Sequence, residues 1–192
     1  MIRNLASDVR AFSSNVFLVT GRRTVLVDAG ANFDVVSAVR EHVDEVDALV
    51  LTHIHEDHVA NAGDVADAFD VDVFGFDPEH PAVTAAIEGG ETVSLGDHDY
   101  TALHTPGHRN DHLCFYAPGP RVLFAGDLVF ANGSFGRTDL EEGDREALVR
   151  SIDRVLDTVS EDLAEMHTGH GPSVTERPYD DVELASRAAR MR

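Results

Sequence analysis

The stretch Thr52-His53-Ile54-His55-Glu56-Asp57-His58 constrains this chain more than any other. It follows directly on the apolar run Ala48-Leu49-Val50-Leu51. That run is short, aliphatic and ends in polar residues, which predicts a buried strand. The histidines therefore emerge at a strand end, where a loop can fan them toward one point. His53 and His55 lie two apart, so in extended backbone both point the same way. Asp57 and His58 follow as the chain turns, into a helix expected to begin near Val59. Imidazole and carboxylate without thiolate form a donor set that suits zinc, iron or manganese. The bland alternative is a solvated histidine-rich turn, and matching residues far along the chain argue against it.

Those residues also stand at strand ends. His108 lies in Thr105-Pro106-Gly107-His108, Asp127 in Ala125-Gly126-Asp127, and His170 in Gly169-His170-Gly171-Pro172. In each case glycine lets the backbone turn sharply beside a short polar side chain. Alone, each is more readily a structural turn residue. Together with the first cluster they make five histidines and two aspartates, enough for two metal ions.

The rest of the pattern alternates strands and helices. Strands over 16–19 and 24–27, joined by a turn at 21–23, predict an N-terminal hairpin. Asp28 closes the second strand and is read as a residue near the site rather than a turn cap. A helix is expected over 34–43, with Val35, Val36, Val39 and Val43 on one face. A second is expected over 60–69, then a strand at 71–74. Pro81 is well placed to open a short helix to Ile87. Strands follow at 92–95, 100–105, 113–116 and 121–125. Asp144 caps a helix to about Leu156. A strand at 163–166 and a charged helix from about Tyr179 complete the chain. Interleaved strands and helices suggest an α/β domain of two sheets with helices outside, and 192 residues fit one domain.

Charge narrows the partners. The net charge is -20, and all 15 basic residues are arginine. A lysine-free acidic surface reads as adaptation to high salt, where screening removes most self-repulsion. The charge argues against nucleic acid as a partner, because phosphates need a basic footprint. The single cysteine, Cys114, fits a reducing compartment and reads as a packed strand residue. No apolar run approaches a membrane span, so a cytoplasmic location is expected.

On these residues the chain resembles the metallo-β-lactamase superfamily, whose His-x-His-x-Asp-His signature is matched at residues 53 to 58. His108, Asp127 and His170 match the remaining metal positions in order. The resemblance implies an αββα four-layer sandwich over a single domain, residues 1–192. It implies one ion on His53, His55 and His108, a second on Asp57, His58 and His170, and Asp127 bridging. Zinc is the first expectation, with iron or manganese as alternatives.

Within the superfamily, Thr105 to His112 resembles the glyoxalase II segment, and Gly136-Arg137-Thr138-Asp139-Leu140 resembles short glyoxalase II-like hydrolases and also persulfide dioxygenases. The leading expectation is hydrolysis of a small 2-hydroxyacyl thioester by a metal-bridging hydroxide, since two nearby cations lower the pKa of a shared water. Asp57 would orient that hydroxide or relay a proton. Arg137 would either bind a substrate carboxylate or pair with Asp139 to stiffen its loop. His112 is read as a hydrogen-bonding residue behind the ligands. The alternative is a mononuclear iron persulfide dioxygenase, which needs only part of this ligand set.

Overall fold

The computed structural model describes residues 1–191 and contains two mixed sheets with helices. The first sheet runs β1 (Ile2–Asn4), β2 (Phe17–Val19), β3 (Val25–Val27), β4 (Ala48–Val50), β5 (Val73–Gly75) and β6 (Ala85–Ala86), in that order. β1 to β3 are antiparallel, as the expected hairpin requires, and β3 to β6 are parallel. Helices α1 (Val35–Arg40), α2 (Glu56–Val59) and α3 (Ala62–Phe69) interrupt the strands. β2, β3 and β4 are buried throughout, which is why they read as continuous aliphatic runs rather than alternating ones.

The second sheet has the order β11-β10-β9-β8-β7, from β7 (Thr92–Leu95), β8 (His98–His104), β9 (Leu113–Ala117), β10 (Val122–Gly126) and β11 (Glu165–Thr168). Helices α4 (Arg145–Thr158) and α5 (Pro178–Arg190) accompany it. This is the expected α/β class, two sheets accompanied by helices.

The chain divides into two compact units, Met1–Ile87 with Ser94–Asp99, and Glu88–Val93 with Tyr100–Arg192. In the first, Leu18, Leu26, Leu49 and Leu51 form a core with Val35, Val39 and Val65 of the helices. In the second, Cys114, Tyr116, Leu123 and Ala125 pack with Leu148, Ile152 and Val155 of α4 and Val182 and Ala185 of α5. The i, i+4, i+7 spacing on α4 puts those three side chains on one stripe. Asp144 caps α4 by accepting from the Ala147 amide at 2.9 Å, as its position in the sequence suggested.

Three expectations need correction. Residues 81–87 do not form a helix. Val83 and Thr84 are β-branched, and the segment bonds to the open edge of β5, with Thr84 N to Val73 O at 2.9 Å and Ile87 N to Gly75 O at 2.8 Å. An unpaired edge wins over the local signal of Pro81. The helix after the histidines begins at Glu56, so Asp57 and His58 lie within its single turn. The last strand sits at Glu165–Thr168, two residues later than expected, because it pairs in parallel with β10. Among the described residues, no helix is long and apolar enough to cross a membrane.

Candidate metal centre

In the first unit, β4 delivers its chain directly into the histidine segment. Leu51 is fully buried, and Thr52 ties the strand end to Asp28: its amide donates to Asp28 Oδ1 at 2.7 Å and its hydroxyl to Oδ2 at 2.8 Å. The same Oδ2 accepts from His58 Nδ1 at 2.8 Å. A proton on Nδ1 leaves the lone pair of His58 on Nε2, the nitrogen available to a cation. Thr52 acts likewise on its neighbour. Its hydroxyl hydrogen is committed to Asp28, so its oxygen accepts from His53 Nδ1 at 3.1 Å, leaving His53 Nε2 for a metal.

Asp28 therefore serves the histidines rather than capping a turn, and it does so from a left-handed backbone at φ 61°. Asp57 sits beside His58 on α2. Its carbonyl accepts from the Ser14 amide at 2.9 Å, while the His58 carbonyl accepts from Ala29 and Gly30.

In the second unit, His108, Asp127 and His170 converge. His108 donates Nδ1–H to the Arg137 carbonyl at 2.8 Å, which leaves Nε2 for a metal. That Nε2 lies 3.4 Å from Asp127 Oδ2, and His170 Nε2 lies 3.5 Å from the same oxygen. His112 acts behind them. Its Nε2 accepts from the Asp127 amide at 2.9 Å, so its proton is on Nδ1, facing Thr105 Oγ1 at 2.8 Å. His112 is thus a hydrogen-bonding residue, as the sequence suggested, and the structure gives its partner as the Asp127 amide. Gly136 makes the close approach possible, since a Cβ there would meet the Asp127 carbonyl oxygen at 2.0 Å.

The spacing of these atoms tests whether they fit a metal. Bonds of about 2.0–2.1 Å to a tetrahedral ion place neighbouring donor atoms roughly 3.4 Å apart. The two imidazole–Asp127 separations of 3.4 and 3.5 Å match that edge. The 3.1 Å between His53 Nε2 and His55 Nδ1 is close to it. The outer nitrogens of His53, His58 and His108 are held by a hydroxyl, a carboxylate and a carbonyl, and imidazoles so oriented beside carboxylates suit divalent first-row ions.

Arg137 lies outside this cluster. Its guanidinium grips Asp139 with two bonds, at 2.8 and 2.9 Å. The pair holds the Asp139 carboxyl down to about 2. Arg137 also lines an open cleft of about 490 Å³ with Ser134, Phe135, Thr138 and Arg145. Sequence reasoning missed the work of Thr52 and Thr105. Their only local signal is a hydroxyl at a strand end beside a histidine motif.

A fold of two mixed sheets with a histidine- and aspartate-rich cluster at strand ends defines a class of metal-dependent hydrolases. Residues 9–176 match the Metallo-beta-lactamase superfamily, and the chain belongs to that family. It is 32% identical to a hydroxyacylglutathione hydrolase of Klebsiella pneumoniae over 79% of this chain, spanning 60% of that protein's length. It is 30% identical to the hydroxyacylglutathione hydrolase GloC of Haemophilus influenzae, covering 87% of this chain and 90% of that one. Among solved structures, TTHA1623 in a di-iron-bound form superposes with a TM-score of 0.77 at 29% identity, covering 97% of both chains.

Proposed function

We propose that this chain is a dinuclear thioester hydrolase of the glyoxalase II type, acting on a small 2-hydroxyacyl thioester. The observation that carries the reading is Asp127 Oδ2, set at one tetrahedral edge from His108 and from His170 alike. That spacing fits a carboxylate shared between two ions, the number that seven donors suggest where one ion needs about four. The two hydroxyacylglutathione hydrolases support the substrate class. His53, His55 and His108 would hold the first ion; Asp57, His58 and His170 the second; Asp127 would bridge. The 192 residues would work as one catalytic domain. Zinc is the first candidate, with iron or manganese as alternatives.

When bound, two such ions supply a water of lowered pKa and polarise the thioester carbonyl. The chain's own residues do the rest. Thr52, Asp28 and the Arg137 carbonyl fix which imidazole nitrogens face the centre. Asp57 would orient the attacking water or relay its proton. Arg137 would turn from Asp139 to a substrate carboxylate, at the mouth of the cleft it lines. A salt-adapted setting agrees with the net charge of -20 and the absence of lysine, and a reducing, cytoplasmic one with the single cysteine. The same charge disfavours nucleic acid as a partner.

The test compares hydrolysis with oxygen chemistry. Wild-type protein is expected to cleave a 2-hydroxyacyl thioester without consuming oxygen. His58→Ala and His170→Ala should each lose about two decades of rate, a barrier change of about 3 kcal/mol. Iron-dependent oxygen uptake with a thiol persulfide, undiminished in both variants, would replace this reading with that of a mononuclear persulfide dioxygenase.

A further inference from the structure

His170 stands on a small closed loop whose base carries a buried histidine outside the ligand set. Met166 and Val174 pair in both directions, Met166 N to Val174 O at 2.9 Å and Val174 N to Met166 O at 2.8 Å. Immediately inside that bridge, His167 Nδ1 meets Ser173 Oγ at 2.9 Å. Thr168 fills the loop, its hydroxyl shared between the carbonyls of His170 at 2.8 Å and Pro172 at 3.3 Å. On the outgoing side, Gly169 N donates to Gly126 O at 2.7 Å, next to Asp127.

The His167 ring is itself held. It lies on Phe124 with centroids 5.0 Å apart and planes 32° apart, and its side chain is only 6% exposed. Burial lowers its pKa, so the ring is neutral at neutral pH. Glu165 Oε2, 3.2 Å from Nε2, favours the proton on that nitrogen and leaves Nδ1 to accept from the Ser173 hydroxyl. A buried imidazole costs free energy unless its polar atoms are satisfied, so a purely apolar residue would suit this core position better if packing were its only task.

We infer that His167 is a positioning residue: through Ser173 it closes the loop that carries His170, and so sets the affinity for the ion that His170 helps to hold. The inference rests on the dinuclear reading. A ligand delivered by a loop of this length binds its ion more tightly when the loop is ordered beforehand, because ordering it on binding costs conformational entropy for each residue. The other ion would take its imidazoles from the end of β4 and from the 105–112 loop, both far from this latch in sequence.

The experiment removes the latch and follows the two ions separately. Zinc-loaded protein is titrated with a chromophoric chelator, and the release of each ion is recorded beside circular dichroism. Ser173→Ala should weaken one ion by about tenfold, the lower end for residues that orient metal-binding imidazoles. That ion should be the one weakened by His170→Ala, and the second should keep its wild-type affinity. His167→Phe, which keeps the ring on Phe124 but loses Nδ1, should behave as Ser173→Ala does. Ser173→Thr, which restores a hydroxyl, should recover tight binding. Unchanged release of both ions in Ser173→Ala would overturn the latch, and so would equal weakening of both. A wild-type protein that saturates at one ion would overturn the dinuclear reading itself, and the latch with it.

Discussion

Asp28 and His58, thirty residues apart in sequence, share a buried hydrogen bond of 2.8 Å between Oδ2 and Nδ1. Both Asp28 oxygens act only as acceptors, taking the Thr52 amide and hydroxyl as well as the imidazole. One carboxylate thus joins the end of β3, the end of β4 and the turn of α2, and it selects the His58 tautomer.

Asp28→Asn should therefore be far from conservative. Asparagine tolerates the left-handed backbone at φ 61°, so the fold should persist. Its amide group, however, turns one acceptor into a donor. Placed against His58, that donor reverses the tautomer and puts hydrogen on Nε2. Metal affinity, measured by chelator competition, is expected to fall about 10–100-fold, while apo-protein circular dichroism stays as in the wild type. Wild-type affinity in this variant would show that Asp28 does not set the tautomer.

Gly136→Ala should break the second cluster from beneath. The added Cβ would stand 2.0 Å from the Asp127 carbonyl oxygen and 3.1 Å from His108 Cβ. A backbone atom cannot swing away as a side-chain end does, so a cost of about 2–3 kcal/mol is expected from urea unfolding. Gly119→Ala is the control. No atom lies within 4 Å of its new Cβ, and its stability should stay within about 0.5 kcal/mol of wild type.

Cys114 should be inert in the folded protein. Burial pushes its thiol from an ordinary 9.0 up to about 12, against the opposing hydrogen bond from Thr105. An aromatic disulfide reagent at pH 8 should label it only after unfolding. The sign of the linkage follows. As pH rises above 9.0 the unfolded chain loses this proton and the folded one keeps it, so the thiol's contribution lowers stability until about pH 12. Rapid labelling of native protein at pH 8 would contradict the packed strand position.

Salt should stabilise this protein. Surface pairs such as Arg121–Asp162 and Arg177–Asp180 weaken with screening, but exposed pairs contribute only about 0–1 kcal/mol each. Relief of repulsion in a chain of net charge -20 should outweigh them. A gain of about 2 kcal/mol would raise the melting midpoint by roughly 4–8 °C between dilute buffer and molar salt. Equal midpoints would remove the inference of adaptation to salt.

Residue type alone decided much of this protein. Aliphatic runs marked β2, β3 and β4, the Asp144 cap marked α4, and short polar residues after strands marked all seven proposed ligands. These signals are local, because strand burial, capping and turn chemistry act over a few neighbours. The tertiary structure decided the rest. It replaced the helix expected to Ile87 with the short strand Ala85–Ala86 by offering the open edge of β5, and it moved the last strand two residues along to pair with β10. It also chose the working nitrogen of three histidines. His58 is set by Asp28, His108 by a carbonyl 29 residues away, and His112 by the Asp127 amide. An imidazole carries two nearly equivalent nitrogens, so its identity specifies the chemistry available, while only a partner brought from far along the chain specifies which atom presents it.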